Sequence, residues 1–223
     1  MSSRRKIAVI LSGCGHQDGA EIHEATLTLW AIHRHGADFQ CFAPDIMQHH
    51  VLNHITGEEM AESRNVLVES ARIARGDIRD LKECRASEYD GVILPGGFGA
   101  AKNLSDYAFR GTALSVNNDL RRILREMREL GRPIGALCIA PVLLAAIFGD
   151  VEVTIGQDPA TAAQVEEMGA RHRATMQGEV VVDRANRIVT TPCYMLDSRV
   201  DQIGEGVDHL VREILGLMEQ DPA

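Results

Sequence analysis

The chain of 223 residues has no long uncharged apolar run, no basic cluster beyond "RRK" at residues 4 to 6, no CxxC or Cys/His spacing and no low-complexity linker. Each absence closes a class of function. A membrane-spanning helix needs about 20 predominantly apolar residues in a row, and none are found here. Lys plus Arg number 23 against 32 Asp plus Glu, a net charge of −9, so nucleic acid and anionic membranes are poor partners. The cysteines, Cys14, Cys41, Cys84, Cys138 and Cys193, are odd in number and scattered. That excludes a disulfide framework or structural zinc site and points to a reducing compartment. "MSSRRK" passes straight into "IAVIL", which is too short for a signal h-region and lacks a small-residue cleavage site, so a cytoplasmic location is expected.

What is present is an ordinary globular composition, 45% apolar and 25% charged, long enough to bury one substantial core. Apolar runs alternate with helical patterns throughout, which predicts an α/β fold: a doubly wound, mostly parallel sheet with helices on both faces. Expected strands are 6–13, 38–44, 89–97 and 132–137. Helices are expected from about 20 to 35, over 115–131 and over 140–149. "VEVTIG", a helix around "ATAAQVEEMGA", the strands "EVVVD" and "RIVTTP", and a terminal helix 201–219 follow. With no repeat or composition break, a single domain 1–223 is expected, carrying a helical insertion around 47–87.

Three loops at expected strand ends carry candidate chemistry. In "GALCIAPVLLA" (135–145), Cys138 falls in the turn between a buried strand and a helix entered through Pro141, where α/β enzymes expose nucleophiles. Taken alone it reads more simply as a core cysteine. "SGCGHQDGAE" (12–21) spaces its glycines as GxGxxxG, one residue longer than a dinucleotide fingerprint, and reads better as a flexible loop over the sheet edge. Glu21 and Glu24 follow it, three residues apart on one side of a helix; either could emerge beside Cys138, or simply complement the helix dipole. "PGGFGAAKNL" (95–104) offers glycine amides of the kind that form an oxyanion hole. No histidine stands where it would serve Cys138: His49, His50, His54, His172 and His209 all read first as surface residues.

The strings "ILSGCGHQDGAEIHE", "FAPD", "NHITGE", "ESRNVLVESARIARG", "LPGGFGAAKNLS", "LCIAP", "TIGQD" and "TTPCYM" together resemble the ElbB proteins (enhancing lycopene biosynthesis protein). These belong to the ThiJ/PfpI branch of the class I glutamine amidotransferase-like fold. The resemblance covers nearly the whole chain and implies a flavodoxin-like sandwich and a homodimer. It also implies Cys138 as the elbow cysteine, Glu24 as its carboxylate partner through the pattern G-A-E-x-x-E, and the amides of Gly97 and Ile139 as oxyanion donors. Glu21 remains a second carboxylate.

Two departures from the wider pattern narrow the chemistry. Ile139 stands where protease-like relatives carry His, and no late H-x-E pair exists, which demotes amidase or hydrolase activity. A thiol with a carboxylate and no imidazole suits glutathione-independent glyoxalase chemistry on a small aldehyde or dicarbonyl, with no metal or organic cofactor needed. In that expectation a protonated Glu24 and the following helix N-terminus also ionise Cys138 near neutral pH. The rival is a non-catalytic, redox-responsive or partner-binding protein whose Cys138 oxidises.

Overall fold

The computed structural model describes residues 4–220, so the first and last three residues of the expected domain lie outside the described residues. In chain order, β1 (Lys6–Ile10) leads through the glycine loop to α1 (Ile22–Arg34) and β2 (Asp38–Ala43). Then come α2 (Val66–Ile73), β3 (Ile78–Asp80), β4 (Gly91–Leu94) and two short helices, α3 (Phe98–Lys102) and α4 (Tyr107–Arg110). Next are α5 (Asn118–Glu129), β5 (Ile134–Leu137), α6 (Pro141–Phe148), β6 (Glu152–Val153) and α7 (Pro159–Glu167). The chain closes with β7 (Arg171–His172), β8 (Val181–Asp183), β9 (Ile188–Thr191) and α8 (Val200–Met218).

Seven strands form one sheet in the order β3-β2-β1-β4-β5-β9-β8, parallel except for β8, which runs antiparallel to β9. The central strands are almost wholly buried because helices cover both faces, and this is why they read as unbroken apolar runs. One core is built against α5 and α6 from residues such as Ile123, Leu124 and Leu143. The other is built against α1 and α8 from residues such as Ile32, Leu210 and Ile214. The fold is the expected α/β class, and helix starts follow their sequence signals: Asn117 caps α5, and Pro141 stands in the first turn of α6.

Three local expectations change. The segment 47–87 contains α2 but also supplies β3, the edge strand that pairs with β2; three residues, "IRD", carry too little periodicity to show as a strand. "VEVTIG" forms only the two-residue β6, which pairs with β7 in a separate ladder. The loop 12–21, expected to be flexible, is tightly folded. Gly19 N–H donates to Gly15 O at 2.6 Å, and Asn103 Nδ2 donates to the carbonyls of Ser12 and Asp18, both at 2.9 Å. Its glycines serve close packing: a Cβ on Gly19 would lie 2.7 Å from Gly13 C within the loop, and one on Gly15 would lie 2.6 Å from His54 Nε2 in the following insertion. Among the described residues no helix is long and apolar enough to cross a membrane.

Strand order reverses between β1 and β4, and the loops after β1, β4 and β5 all leave the same carboxyl edge there. Gly99 in α3 allows the closest approach of two of them, since a Cβ there would lie 2.5 Å from the Ser12 carbonyl oxygen and 2.6 Å from Gly19 C. Gly99→Ala is therefore expected to cost about 3 kcal/mol or more in urea unfolding. Gly204→Ala in α8, where a Cβ meets nothing within 4 Å, is expected to gain roughly 0.5–1 kcal/mol.

Candidate active site

The turn after β5 leaves no room for an ordinary backbone. Leu137 is the last residue paired with β9, and Cys138 N–H still donates to Thr191 O at 2.9 Å, while α6 begins at Pro141. Reversing from strand to helix within so few residues puts Cys138 at φ 59°, the left-handed region that a residue with a Cβ rarely adopts. Such strain costs on the order of 1–3 kcal/mol and persists because the surroundings hold it. The side chain is thereby raised to the carboxyl edge of the sheet, 7% exposed, at the floor of a cleft of about 280 Å³.

Glu24 lies in the first turns of α1 and is completely buried. Its Oε2 accepts the Gly96 N–H at 2.9 Å, its Oε1 accepts the Tyr194 N–H at 3.4 Å, and its carboxyl lies beside the Cys138 side chain, both against Gly96. Gly96 must be glycine, because a Cβ there would run into Cys138 Cβ and stand 2.6 Å from Glu24 Oε2. Glu21 resolves differently. It is the N-cap of α1, its Oε2 accepting the Glu24 N–H at 2.7 Å, and it lines the cleft rather than reaching the sulfur's carboxylate position. Helical phasing left the two acids open, and tertiary contacts separate them: Glu21 N–H donates to Gly96 O at 3.0 Å, which fixes the entry angle of α1.

Burial dominates the electrostatics. It pushes the Glu24 carboxyl up to about 8, with the nearby Glu21 charge adding to the rise and the amides of Tyr194 and Gly96 opposing it. The Cys138 thiol is raised well above its ordinary value, first by burial and then by the charge of Glu24; the nearby amides of Gly97 and Ile139 pull the other way. The expectation of a thiolate at neutral pH is therefore corrected: desolvation outweighs those two amides, and near pH 7 the pair holds both protons. Gly97, at φ 91°, directs its amide toward the sulfur because no side chain fits there; a Cβ would lie 2.5 Å from Gly19 O.

The histidines considered from sequence all lie away from Cys138 and Glu24, and the buried Nε2 of His172 has no hydrogen-bond partner. His209 Nδ1 contacts Gly178 O, His172 is in β7, His50 Nε2 is 3.0 Å from Lys102 Nζ, His49 stacks on Phe109, and His54 contacts the Gln17 amide. Among the described residues no histidine hydrogen-bonds Cys138 or Glu24. Sequence reasoning overlooked His16, which lines the cleft from the loop after β1, and Tyr194, whose hydroxyl lies 2.7 Å from His23 Nδ1. It also overlooked Cys193, buried next to Tyr194 and raised by burial and by Glu24. The string "TTPCYM", which closes β9 and the turn after it, was the available signal. The described residues hold no group of three or more His, Cys, Asp or Glu arranged to bind a metal ion.

Residues 16–194 match the profile of the DJ-1/PfpI family. A human protein, glutamine amidotransferase-like class 1 domain-containing protein 3, mitochondrial, is 46% identical over 95% of this chain and 83% of its own length. The zebrafish ES1 protein, mitochondrial, is 35% identical over 94% of this chain and 84% of its own. Among solved structures, an isoprenoid biosynthesis protein with amidotransferase-like domain from Ehrlichia chaffeensis superposes with a TM-score of 0.90 at 36% identity, covering 96% of this chain and 99% of that one. Drosophila melanogaster DJ-1beta superposes at 0.55 with 18% identity over 97% of each chain, a likeness of fold alone.

A carboxyl at about 8 in the folded protein and near 4.3 when unfolded makes stability fall as pH rises between those values, because the unfolded chain ionises while the native one stays protonated. Glu24→Gln, which is nearly isosteric and cannot ionise, is expected to be more stable than wild type at pH 7.5. The advantage should grow by roughly 1 kcal/mol per pH unit from about pH 4.5 to 8 and vanish at the acid end. Chemical denaturation of both proteins across that range measures it; a constant difference would show that Glu24 titrates normally.

Proposed function

Because the chain belongs to the DJ-1/PfpI family, we propose that it is a cofactor-independent glyoxalase III-type lyase of the ElbB kind, converting methylglyoxal or glyoxal to lactate or glycolate. The observation that carries the proposal is the buried juxtaposition of Cys138 and the Glu24 carboxyl, both packed against Gly96, with backbone amides and no imidazole around them. The ElbB assignment is supported by the sequence strings and by the isoprenoid-biosynthesis relative.

In the monoanionic state the pair shares one proton, and a single state then supplies every role. Cys138 as thiolate adds to the aldehyde carbon; the carbonyl π electrons move to oxygen, which takes the proton from Glu24 and gives a hemithioacetal. Glu24, now a carboxylate, removes the proton from that carbon, an enediol forms, and reprotonation at the adjacent carbon yields a 2-hydroxy thioester. Water then releases the 2-hydroxy acid and restores the thiol. The aldehyde carbon is oxidised by two electrons and its neighbour reduced by two, so no external redox partner is needed. The amides of Gly97 and Ile139, already facing the sulfur, are the donors for the developing oxyanion, an effect typically worth about 3–4 kcal/mol per donor.

The rival reading, an oxidation-responsive Cys138, draws on the same two amides, which could hold a sulfinate oxygen. The raised thiol counts against it, since peroxide reacts with thiolates. The cytoplasmic setting rests on five unpaired cysteines, and the mitochondrial names belong to the relatives. Homodimer assembly rests on the ElbB resemblance.

Steady-state loss of methylglyoxal tests the reading. Cys138→Ser is expected to lower kcat/KM at least about 1000-fold and Glu24→Gln about 100-fold or more. Wild-type kcat/KM is expected to rise with pH, approaching tenfold per unit below a midpoint near 8, and to level off above it. A wild-type rate no faster than that of Cys138→Ser would end the enzyme reading, and peroxide titration followed by intact mass would then examine the rival.

A further inference from the structure

The cleft above Cys138 is larger and drier than glyoxal or methylglyoxal requires. At about 30 Å³ for each water-sized volume, its 280 Å³ accommodate roughly nine such groups. The wall opposite the β5 turn is mostly hydrocarbon: Phe98 and Ala101 from α3, Tyr107 and Ala108 from α4, and Met195 from the turn after β9. Phe98 is half exposed although its neighbours Ala100 and Ala101 are buried, so an aromatic face is presented to the cleft without serving the core.

Polar contacts are few, with His16 and Thr161 among them. Tyr107 spends its hydroxyl on Gln164 in α7, and Tyr194 spends its own on His23, so both rings offer the cleft their bodies more than their tips. No lysine or arginine lines it. The neighbouring cation, Lys102, turns to the Gln17 carbonyl at 2.8 Å and to His50, with its ammonium 5.0 Å from the Phe98 ring centre. The acid among the lining residues is Glu21, held at the helix start by the Glu24 amide. An anionic substrate would meet the Glu21 carboxylate and largely apolar walls, with the His16 imidazole as the one titratable base among the lining residues.

We infer that the cleft is built for an uncharged 2-oxoaldehyde carrying an alkyl side group larger than methyl, and that it discriminates against carboxylated or phosphorylated aldehydes. The inference rests on the proposed reaction for its chemistry and on the shape and charge of the cleft for its selectivity. The aldehyde carbon sits over Cys138 and the side group lies along Phe98, Tyr107 and Ala108. Each methylene moved from water onto that wall strengthens transition-state binding as long as room remains.

The experiment is a kcat/KM series on the wild-type protein with methylglyoxal, 2-oxobutanal, 2-oxopentanal and 4-methyl-2-oxopentanal, with 4,5-dioxopentanoate, a carboxylated 2-oxoaldehyde of the same carbon count as 2-oxopentanal, as the anionic comparison. The expected result is a rise of about fourfold per added methylene and at least about tenfold discrimination against 4,5-dioxopentanoate relative to 2-oxopentanal. Ala108→Phe, at an exposed position on the wall, is expected to compress the ratio of the longest to the shortest substrate toward unity. A series that is flat or falls with chain length while methylglyoxal turns over by way of Cys138 overturns the selectivity and leaves the reaction standing. If no member is consumed faster than by Cys138→Ser, the reaction itself fails, and this inference with it.

Discussion

Glu24 ties the site together from a position with no contact with water. Its two oxygens collect the Gly96 amide from the loop after β4 and the Tyr194 amide from the turn after β9, its carboxyl lies beside Cys138 from the turn after β5, and its own backbone stands in the helix after β1. Four connections that are distant in sequence converge on one carboxyl group. An ionised carboxylate there would lack the solvation it has in water, so the group holds its proton to about 8, beside the thiol. The glycines at 96, 97 and 99 follow from the same convergence, since each lets a backbone come closer than a Cβ would permit.

The sheet makes this convergence possible. Reversal of strand order between β1 and β4 opens a crevice at the carboxyl edge of the sheet, and open α/β sheets bind ligands there. The left-handed turn at Cys138 then lifts one side chain out of a strand that is otherwise fully buried. Strain at the elbow and a desolvated acid beside it are both unfavourable for the fold and both useful to a nucleophile whose proton has to be moved. A thiol kept protonated until its partner loses a proton is also spared incidental oxidation near neutral pH, which suits an enzyme better than a sensor.

Much of the architecture was legible because buried parallel strands write themselves as apolar runs and helices as capped periodic segments. Cys138 between strand and Pro-started helix is the clearest case. What escaped was tertiary in origin. β3 is a strand only because β2 offers it an edge. Glu21 and Glu24 share a helix face, and the division of labour between them comes from the Gly96 carbonyl that anchors one and the Gly96 amide that meets the other. His16 and Tyr194 sit in loops without periodicity, so nothing local announces that they border the same cleft. The thiolate expected from the helix N-terminus failed for a related reason: sequence displays the amides that would favour the charge, while the depth of burial that opposes it is set by the whole fold.

The proposed chemistry depends on the protonation of one carboxyl group, and infrared difference spectroscopy of wild type against Glu24→Gln reads it directly. At pH 6.5 the wild type should show the carbonyl stretch of one protonated carboxyl that the variant lacks, and that band should disappear across a transition centred near pH 8. An ionised Glu24 already present at pH 6.5, with no protonated band to lose, would contradict the shared-proton site on which the proposed chemistry depends.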